Sequence, residues 1–128
     1  MAAQNSQPDF DTLIEALIIQ ESNGDDNAIG DNGKALGCLQ IWEVVVKDAN
    51  NFFKQNYTHQ DMFNRKKAKN VCRMYLIQWG KNYTKVTKKQ PTEEVLARIW
   101  NGGPKGYEKK ATLKYWSSVQ KILQTLKK

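Results

Sequence analysis

The chain has 128 residues, 40% of them hydrophobic and 10% aromatic, which favours a globular fold and excludes a disordered protein. Its net charge of +7 suits a polyanionic partner, or simply a lysine-rich solvated surface. The lysines are scattered and no nucleic-acid motif accompanies them, so we expect no nucleic-acid partner.

The first predicted helix follows an acidic start and ends at a glycine. Either Asp9 or Asp11 can cap it, and Gly24 can end it. Glu21 lies four residues after Leu17 and eight after Leu13, so a helix places all three on one face. The apolar part of that face is expected to consist of Leu13, Ile14, Leu17 and Ile18.

Glu21 therefore extends an apolar stripe that faces the core. Partial burial and the negative end of the helix dipole would both raise the pKa of Glu21. A carboxyl group that keeps its proton near neutral pH can act as a general acid. The alternative is a frayed helix end with Glu21 turned toward water.

A polar segment and a second helix come next. Residues 28–41 contain an Asn-Gly turn signal between short apolar pieces, which predicts a small β-hairpin. Asp31 opens that turn, and turn chemistry alone could explain it. The helix that follows is expected to carry Val44, Val45, Phe52 and Phe53.

Three further helices complete a mostly α (α+β) domain. Asp61 can cap the third helix and Gly80 can end it. Thr92 is a strong cap for the fourth, which is expected to break near Gly103. The apolar faces of the third and fifth helices are predicted to be Ala68, Val71, Cys72, Tyr75, Leu76 and Trp79, and Leu113, Trp116, Val119, Ile122, Leu123 and Leu126.

The composition argues against metal and nucleophile chemistry. His59 is the single histidine and has no recognisable partner, and Cys38 and Cys72 form no metal-binding pair. We therefore expect no metal and no cofactor. The two cysteines could form a disulfide or remain buried thiols, and the sequence leaves both open.

No long apolar run or leader is visible. No stretch approaches the roughly 18 apolar residues of a membrane span, so no membrane insertion is expected. The N-terminus lacks a basic region and a long apolar core, so no signal peptide is visible. We predict a flexible N-terminus over residues 1–8 and a single folded domain over residues 9–128.

Three sequence blocks resemble soluble lytic transglycosylases and goose-type lysozymes. They are the Glu-Ser pair with "NAIGDNGKALGCLQI", then "ARIWNGGPKGY", then "YWSSVQKIL", in the order of that family. The sequence also resembles invertebrate-type lysozymes, in which an aspartate follows the glutamate-serine pair at roughly the distance of Asp31 from Glu21. The resemblance implies a lysozyme-like helical domain with its hairpin beside an active-site cleft. Trp100 departs from the tyrosine usual in the family.

Carried over by position, the resemblance implies a set of site residues. Glu21 would be the catalytic acid, and Asp31 a second carboxylate if the hairpin folds over the cleft. Two carboxylates would suit hydrolysis, whereas a transglycosylase needs one. The substrate-binding residues would be Ser22, Gln40, Ile41, Trp100, Asn101, Gly102, Tyr107 and Tyr115.

The resemblance further implies a function. The chain would be an enzyme, a bacteriolytic muramidase that cuts the β-1,4 bond of peptidoglycan between N-acetylmuramic acid and N-acetylglucosamine. A chitin-cleaving relative and a non-catalytic glycan-binding domain are the alternatives. It would act as a monomer on glycan strands at the bacterial cell wall, whether periplasmic, secreted or phage-associated. A cognate inhibitor or immunity protein is a further candidate partner.

Overall fold

The computed structural model describes residues 9–128, and this part of the chain is mostly helical. It contains five α-helices and one two-stranded antiparallel hairpin, which confirms the predicted fold class. The predicted flexible segment 1–8 lies outside the described residues. The elements are α1 (Phe10–Ser22), β1 (Ile29–Gly30), β2 (Ala35–Leu36), α2 (Glu43–Phe53), α3 (Arg65–Thr87), α4 (Glu93–Gly102) and α5 (Leu113–Leu126).

Helix α1 begins and ends through local hydrogen bonds. Of the two candidate caps Asp9 is the one used, since its Oδ1 accepts from the Thr12 amide at 3.2 Å. At the other end Asn23 adopts a left-handed conformation with φ 56°, and its amide donates to Ile19 at 2.9 Å. The four residues of the predicted apolar face are all buried, and Ala16 is buried as well.

Helix α3 differs from its prediction at both ends. Asp61 belongs to a preceding 3₁₀ turn, where it forms a capping box with Thr58, and Asn64 caps α3 instead. The helix continues through Gly80 to Thr87. A Cβ on Gly80 would lie 3.3 Å from Leu96, so the glycine serves close packing against α4 and not helix termination.

The hairpin is short and closely tied to the rest of the chain. Its strands pair Ile29 with Leu36 and Gly30 with Ala35, and a further bridge joins Leu36 to Ile41. The turn between the strands is a single 3₁₀ turn, Asp31–Gly33. The bridge to Ile41 directs the chain back alongside β2 before α2 begins.

The core lies where α1, α3, α4 and α5 meet. Cys38 and Cys72 are both buried there as free thiols, which settles the choice that the sequence left open. Four apolar residues of the predicted helices lie largely outside the core, since Val44 is 67% exposed, Phe52 50%, Leu113 48% and Leu126 40%. No helix among residues 9–128 is long and apolar enough to cross a membrane.

Candidate functional site around Glu21

The last turn of α1 carries a carboxyl group that a distant helix holds. Oε2 of Glu21 accepts a hydrogen bond of 2.6 Å from the phenolic Oη of Tyr115 on α5. Both side chains are partly buried. The glutamate is therefore fixed at the helix end, and the frayed alternative is excluded.

The environment of Glu21 favours its protonated form. Burial is the largest effect and raises the pKa of Glu21 from 4.5 to about 7, helped by the negative charge of Asp31. The Tyr115 hydrogen bond acts in the opposite direction, because it stabilises the carboxylate. Near neutral pH the group can donate a proton or accept one.

Asp31 lies in the hairpin turn, and its negative charge acts on Glu21. Its backbone is left-handed at φ 48°, an uncommon conformation for a residue other than glycine. Its Oδ2 accepts from the indole Nε1 of Trp42 at 3.1 Å. The Lys34 ammonium lies 5.4 Å from the centre of the same indole ring, within range of a cation–π interaction.

Two further ionisable groups interact electrostatically with Glu21. Cys72 on α3 is completely buried, which raises the pKa of its thiol well above the ordinary value, and the charge of Glu21 adds to this. Tyr115 has a pKa raised well above its ordinary value by burial first and by Glu21 second. Both groups therefore remain neutral beside the carboxyl group.

The predicted binding residues next to Glu21 have structural partners. The Ser22 hydroxyl donates to the Cys38 carbonyl at 2.8 Å, which ties α1 to the hairpin. The Gln40 amide nitrogen donates to the carbonyls of Ala35 at 3.3 Å and of Gly37 at 3.1 Å. Ile41 is 1% exposed, so its side chain belongs to the core and not to an open groove.

The other predicted residues lie along α4 and the turn after it. Trp100 packs edge-on against Tyr75, with ring centres 5.7 Å apart, and Tyr107 packs in the same way on Tyr83 at 4.8 Å. Asn101 is exposed, and Gly102 is partly buried. Within residues 9–128 no hydrogen bond joins these residues to Glu21, so Tyr115 is the residue of the predicted set that bonds to it directly.

The contact between Trp42 and Asp31 could not be predicted from the sequence. The two residues are eleven positions apart, and no spacing rule for a turn or a helix pairs them. The role of Arg65 was likewise not predicted. Arg65 donates to Asp26 at 2.7 Å and to the Gly24 carbonyl, so α3 secures the loop that follows Glu21. Within residues 9–128 no group of three His, Cys, Asp or Glu side chains could hold a metal ion.

Removing the Tyr115 hydroxyl is expected to change the titration of Glu21. Tyr115→Phe takes away the hydrogen bond that favours the carboxylate, so the pKa of Glu21 should rise above its wild-type value of about 7. Carbon-13 NMR of the labelled Glu21 carboxyl group measures the midpoint directly. A midpoint that stayed the same or fell would show that the bond does not stabilise the charged form in solution.

Comparison with known proteins gives a structural likeness but no family match. No family model matches the chain, and no curated protein resembles it significantly. A chain of the crystal structure of Aeromonas hydrophila PliI in complex with Meretrix lusoria lysozyme is similar, with a TM-score of 0.66 and 24% identity. The match covers 87% of this chain and 88% of that one. At this identity the likeness shows a shared fold.

This likeness corrects the recognition drawn from the three sequence blocks. It is to a complex between the lysozyme inhibitor PliI and a lysozyme, and not to a soluble lytic transglycosylase or goose-type enzyme. Short polar motifs at helix ends and turns can recur for local structural reasons, as the partners of Ser22 and Gln40 illustrate. The three motifs are therefore weak evidence for membership of that enzyme family.

The predictions that depended on that recognition are withdrawn with it. They are the muramidase function and its glycan-directed alternatives, the classification as a bacteriolytic enzyme, and peptidoglycan strands as the partner. The finding that replaces them is a fold found in a lysozyme–inhibitor complex, in which the partner is another protein.

Proposed function

We propose that this chain acts by protein recognition, as one member of a lysozyme–inhibitor pair. The observation that carries the proposal is the likeness over 87% of the chain to a structure in which PliI is bound to a lysozyme. That setting also favours a place of action outside the cytoplasm, at or near the bacterial cell wall.

The surface around Trp42 has the properties of a protein contact. A hollow is lined by Gly33, Lys34, Trp42, Glu43, Val44 and His59. Trp42 is 40% exposed and Val44 is 67% exposed, so two large apolar side chains face water side by side. Exposed apolar groups rimmed by charged ones are typical of the centre of an interface, where tryptophan contributes strongly.

The site residues take a corresponding place in the proposal. Glu21 is the first acid of the proposed site and is fixed by Tyr115, and Asp31 in the hairpin turn is the second, whose negative charge helps to raise the pKa of Glu21. Gln40 and Ser22 hold the hairpin that carries the second. Trp100, Asn101, Gly102 and Tyr107, on α4 and the turn after it, remain candidate contact residues in the proposal.

Binding to each protein of the resembling complex tests the proposal. We would immobilise this chain and titrate it separately with A. hydrophila PliI and with M. lusoria lysozyme, using biolayer interferometry. The proposal expects saturable binding to one of them, and the identity of that protein shows which partner the chain recognises. Binding to neither would contradict the proposal.

An assay with cell-wall glycan as the substrate could contradict the proposed function. If the wild-type chain cut purified cell-wall glycan and Glu21→Gln abolished the cutting, action by protein recognition would be the wrong assignment. If both chains left the glycan intact, the proposed function would be supported. The Gln side chain keeps an oxygen that can accept from Tyr115, so the variant tests the acid and not the fold.

Two exposed valines offer a matched pair for locating the contact. Val44 lies in the hollow at 67% exposure, and Val86 lies near the end of α3 at 63%. We expect Val44→Ser to weaken binding about fivefold to tenfold, since an interface contact of this kind contributes about 1 kcal/mol. Val86→Ser should leave the affinity unchanged. Equal effects of the two substitutions would place the interface elsewhere.

A further inference from the structure

We infer that a second hollow, between α2 and α3, is a docking site for an acidic segment of a partner protein. We call it the Phe52 hollow, and its lining residues are Phe52, Gln78, Trp79, Lys81, Asn82 and Lys85. Phe52 is next to the last residue of α2, whereas Trp42 precedes the first. The Phe52 hollow is therefore separate from the surface around Trp42 and goes beyond the proposed function.

The positive charge of α3 is neutralised along only part of the helix. Residues 62–92 contain no aspartate or glutamate, so every ion pair of α3 needs an acid from outside that range. Cations in the first part of the helix have such partners, in the pairs Arg65–Asp26, Lys67–Asp61, Lys69–Glu15 and Arg73–Asp11. Among residues 9–128, no acid pairs with a cation of α3 after Arg73. The later part of α3 therefore keeps its positive charge.

Two lysines of this later part stand together at the Phe52 hollow. Lys81 and Lys85 are both exposed and line it. They are four residues apart, so a helix places them on one face, where their like charges repel each other. A carboxylate brought between them would attract both ammonium groups and relieve that repulsion. The charge of the hollow thus favours an anionic partner.

The floor of the Phe52 hollow is fixed by a bond network between the two helices. Asp48 on α2 accepts from Nε2 of Gln78 at 3.0 Å and from Nε1 of Trp79 at 2.8 Å. Asp48 does not line the hollow, and its single charge is outweighed by the two lysines. Because Gln78 and Trp79 are already held in place, a partner that binds against them has little ordering entropy to overcome.

The uncharged lining residues indicate that the anion belongs to a peptide. Phe52 is 50% exposed and offers an apolar surface. Gln78 is 8% exposed, and among the described residues its Oε1 accepts no hydrogen bond. A backbone N–H could satisfy this acceptor once the side chains that cover it move aside. A segment with an acidic residue beside an aliphatic one supplies the charge, the apolar contact and the N–H together. A phosphatidylglycerol headgroup supplies the charge but no amide N–H.

Nitrogen-15 NMR titration with a short acidic peptide tests the inference. The probe is acetyl-Leu-Asp-Leu-Asp-Leu-amide, and its control carries asparagine in place of each aspartate. We expect the acidic peptide to shift the amide signals of the residues that line the Phe52 hollow, and the asparagine peptide to leave them in place. The apparent affinity should fall as salt is added, because both lysines are exposed to solvent.

The chain offers a matched control for the lysine pair. Lys110 and Lys114 are also exposed and four residues apart, and neither lines the Phe52 hollow. We expect the double variant Lys81→Gln/Lys85→Gln to bind the acidic peptide about fivefold more weakly, as the loss of two exposed ion pairs implies. Lys110→Gln/Lys114→Gln changes the net charge by the same amount and should keep the wild-type affinity. Phe52→Ser should weaken binding with no change in charge.

Three results would overturn the inference. They are the absence of any shift at millimolar acidic peptide, equal shifts with the asparagine peptide, and equal losses of affinity in the two double variants. Vesicles of phosphatidylglycerol test the rival occupant. If the wild-type chain bound them through Lys81 and Lys85 but did not bind the peptide, the hollow would be a membrane contact instead. Neither PliI nor lysozyme is used, so the outcome is separate from that of the proposed function.

Discussion

Glu21→Gln is expected to stabilise the fold at pH 8 by about 2–3 kcal/mol. Burial raises the pKa of Glu21 from 4.5 to about 7, so at pH 8 the wild-type chain carries a charge in a site that disfavours it. A neutral glutamine avoids that cost and can still accept from Tyr115. Urea unfolding of both chains at pH 8 gives the difference.

The pH dependence of this effect has a definite sign. Between pH 4.5 and about 7 the folded chain binds more protons at Glu21 than the unfolded chain, so the stability contributed by this group falls as the pH rises. The contribution is fully present below pH 4.5 and lost above about pH 7. The advantage of glutamine should therefore shrink toward zero at pH 4.5. An advantage of the same size at both pH values would contradict the burial of an ionisable group here.

Gly37→Ala is expected to be the most damaging single change in the hairpin, with a loss of about 4 kcal/mol or more. Gly37 has φ 81°, and a Cβ there would lie 1.9 Å from the Met62 carbonyl oxygen. Backbone atoms cannot move aside as the end of a side chain can. Thermal or urea unfolding by circular dichroism would measure the loss.

Gly33→Ala is the control for the conformational part of that loss. Gly33 has φ 89° but no atom within 4 Å of an added Cβ. Its substitution should cost only about 1–2 kcal/mol, the strain of a left-handed backbone. Equal losses at the two positions would mean that backbone strain, and not the clash with Met62, causes the loss of stability in Gly37→Ala.

Local sequence patterns predicted the features of the fold that depend on near neighbours. The buried stripe of α1, the Thr92 cap of α4 and the hairpin in residues 28–41 all follow from periodicity, capping and turn chemistry. The raised pKa of Glu21 was also foreseen, from the position of Glu21 on the apolar stripe. Burial is its principal cause in the structure.

Features that depend on distant packing could not be predicted in this way. Gly80 looks like a helix end, yet the need for space against Leu96 keeps it inside α3. Gln40 looks like a groove residue, yet the carbonyls of its own hairpin use its amide. A motif gives the residue types and their spacing, whereas the contacts of each side chain depend on the folded structure.

The bond between Tyr115 and Glu21 also has a consequence for when the site comes into existence. It joins residues 94 positions apart, and its phenolic partner belongs to the last helix. Contacts of such long range form late, after the chain has paid the entropy of closing a large loop. A chain growing on the ribosome therefore presents its charged α1 end long before Tyr115 is available. Assembly of the Glu21 site therefore requires synthesis through Tyr115, so a product that ends before α5 carries the glutamate but not the site.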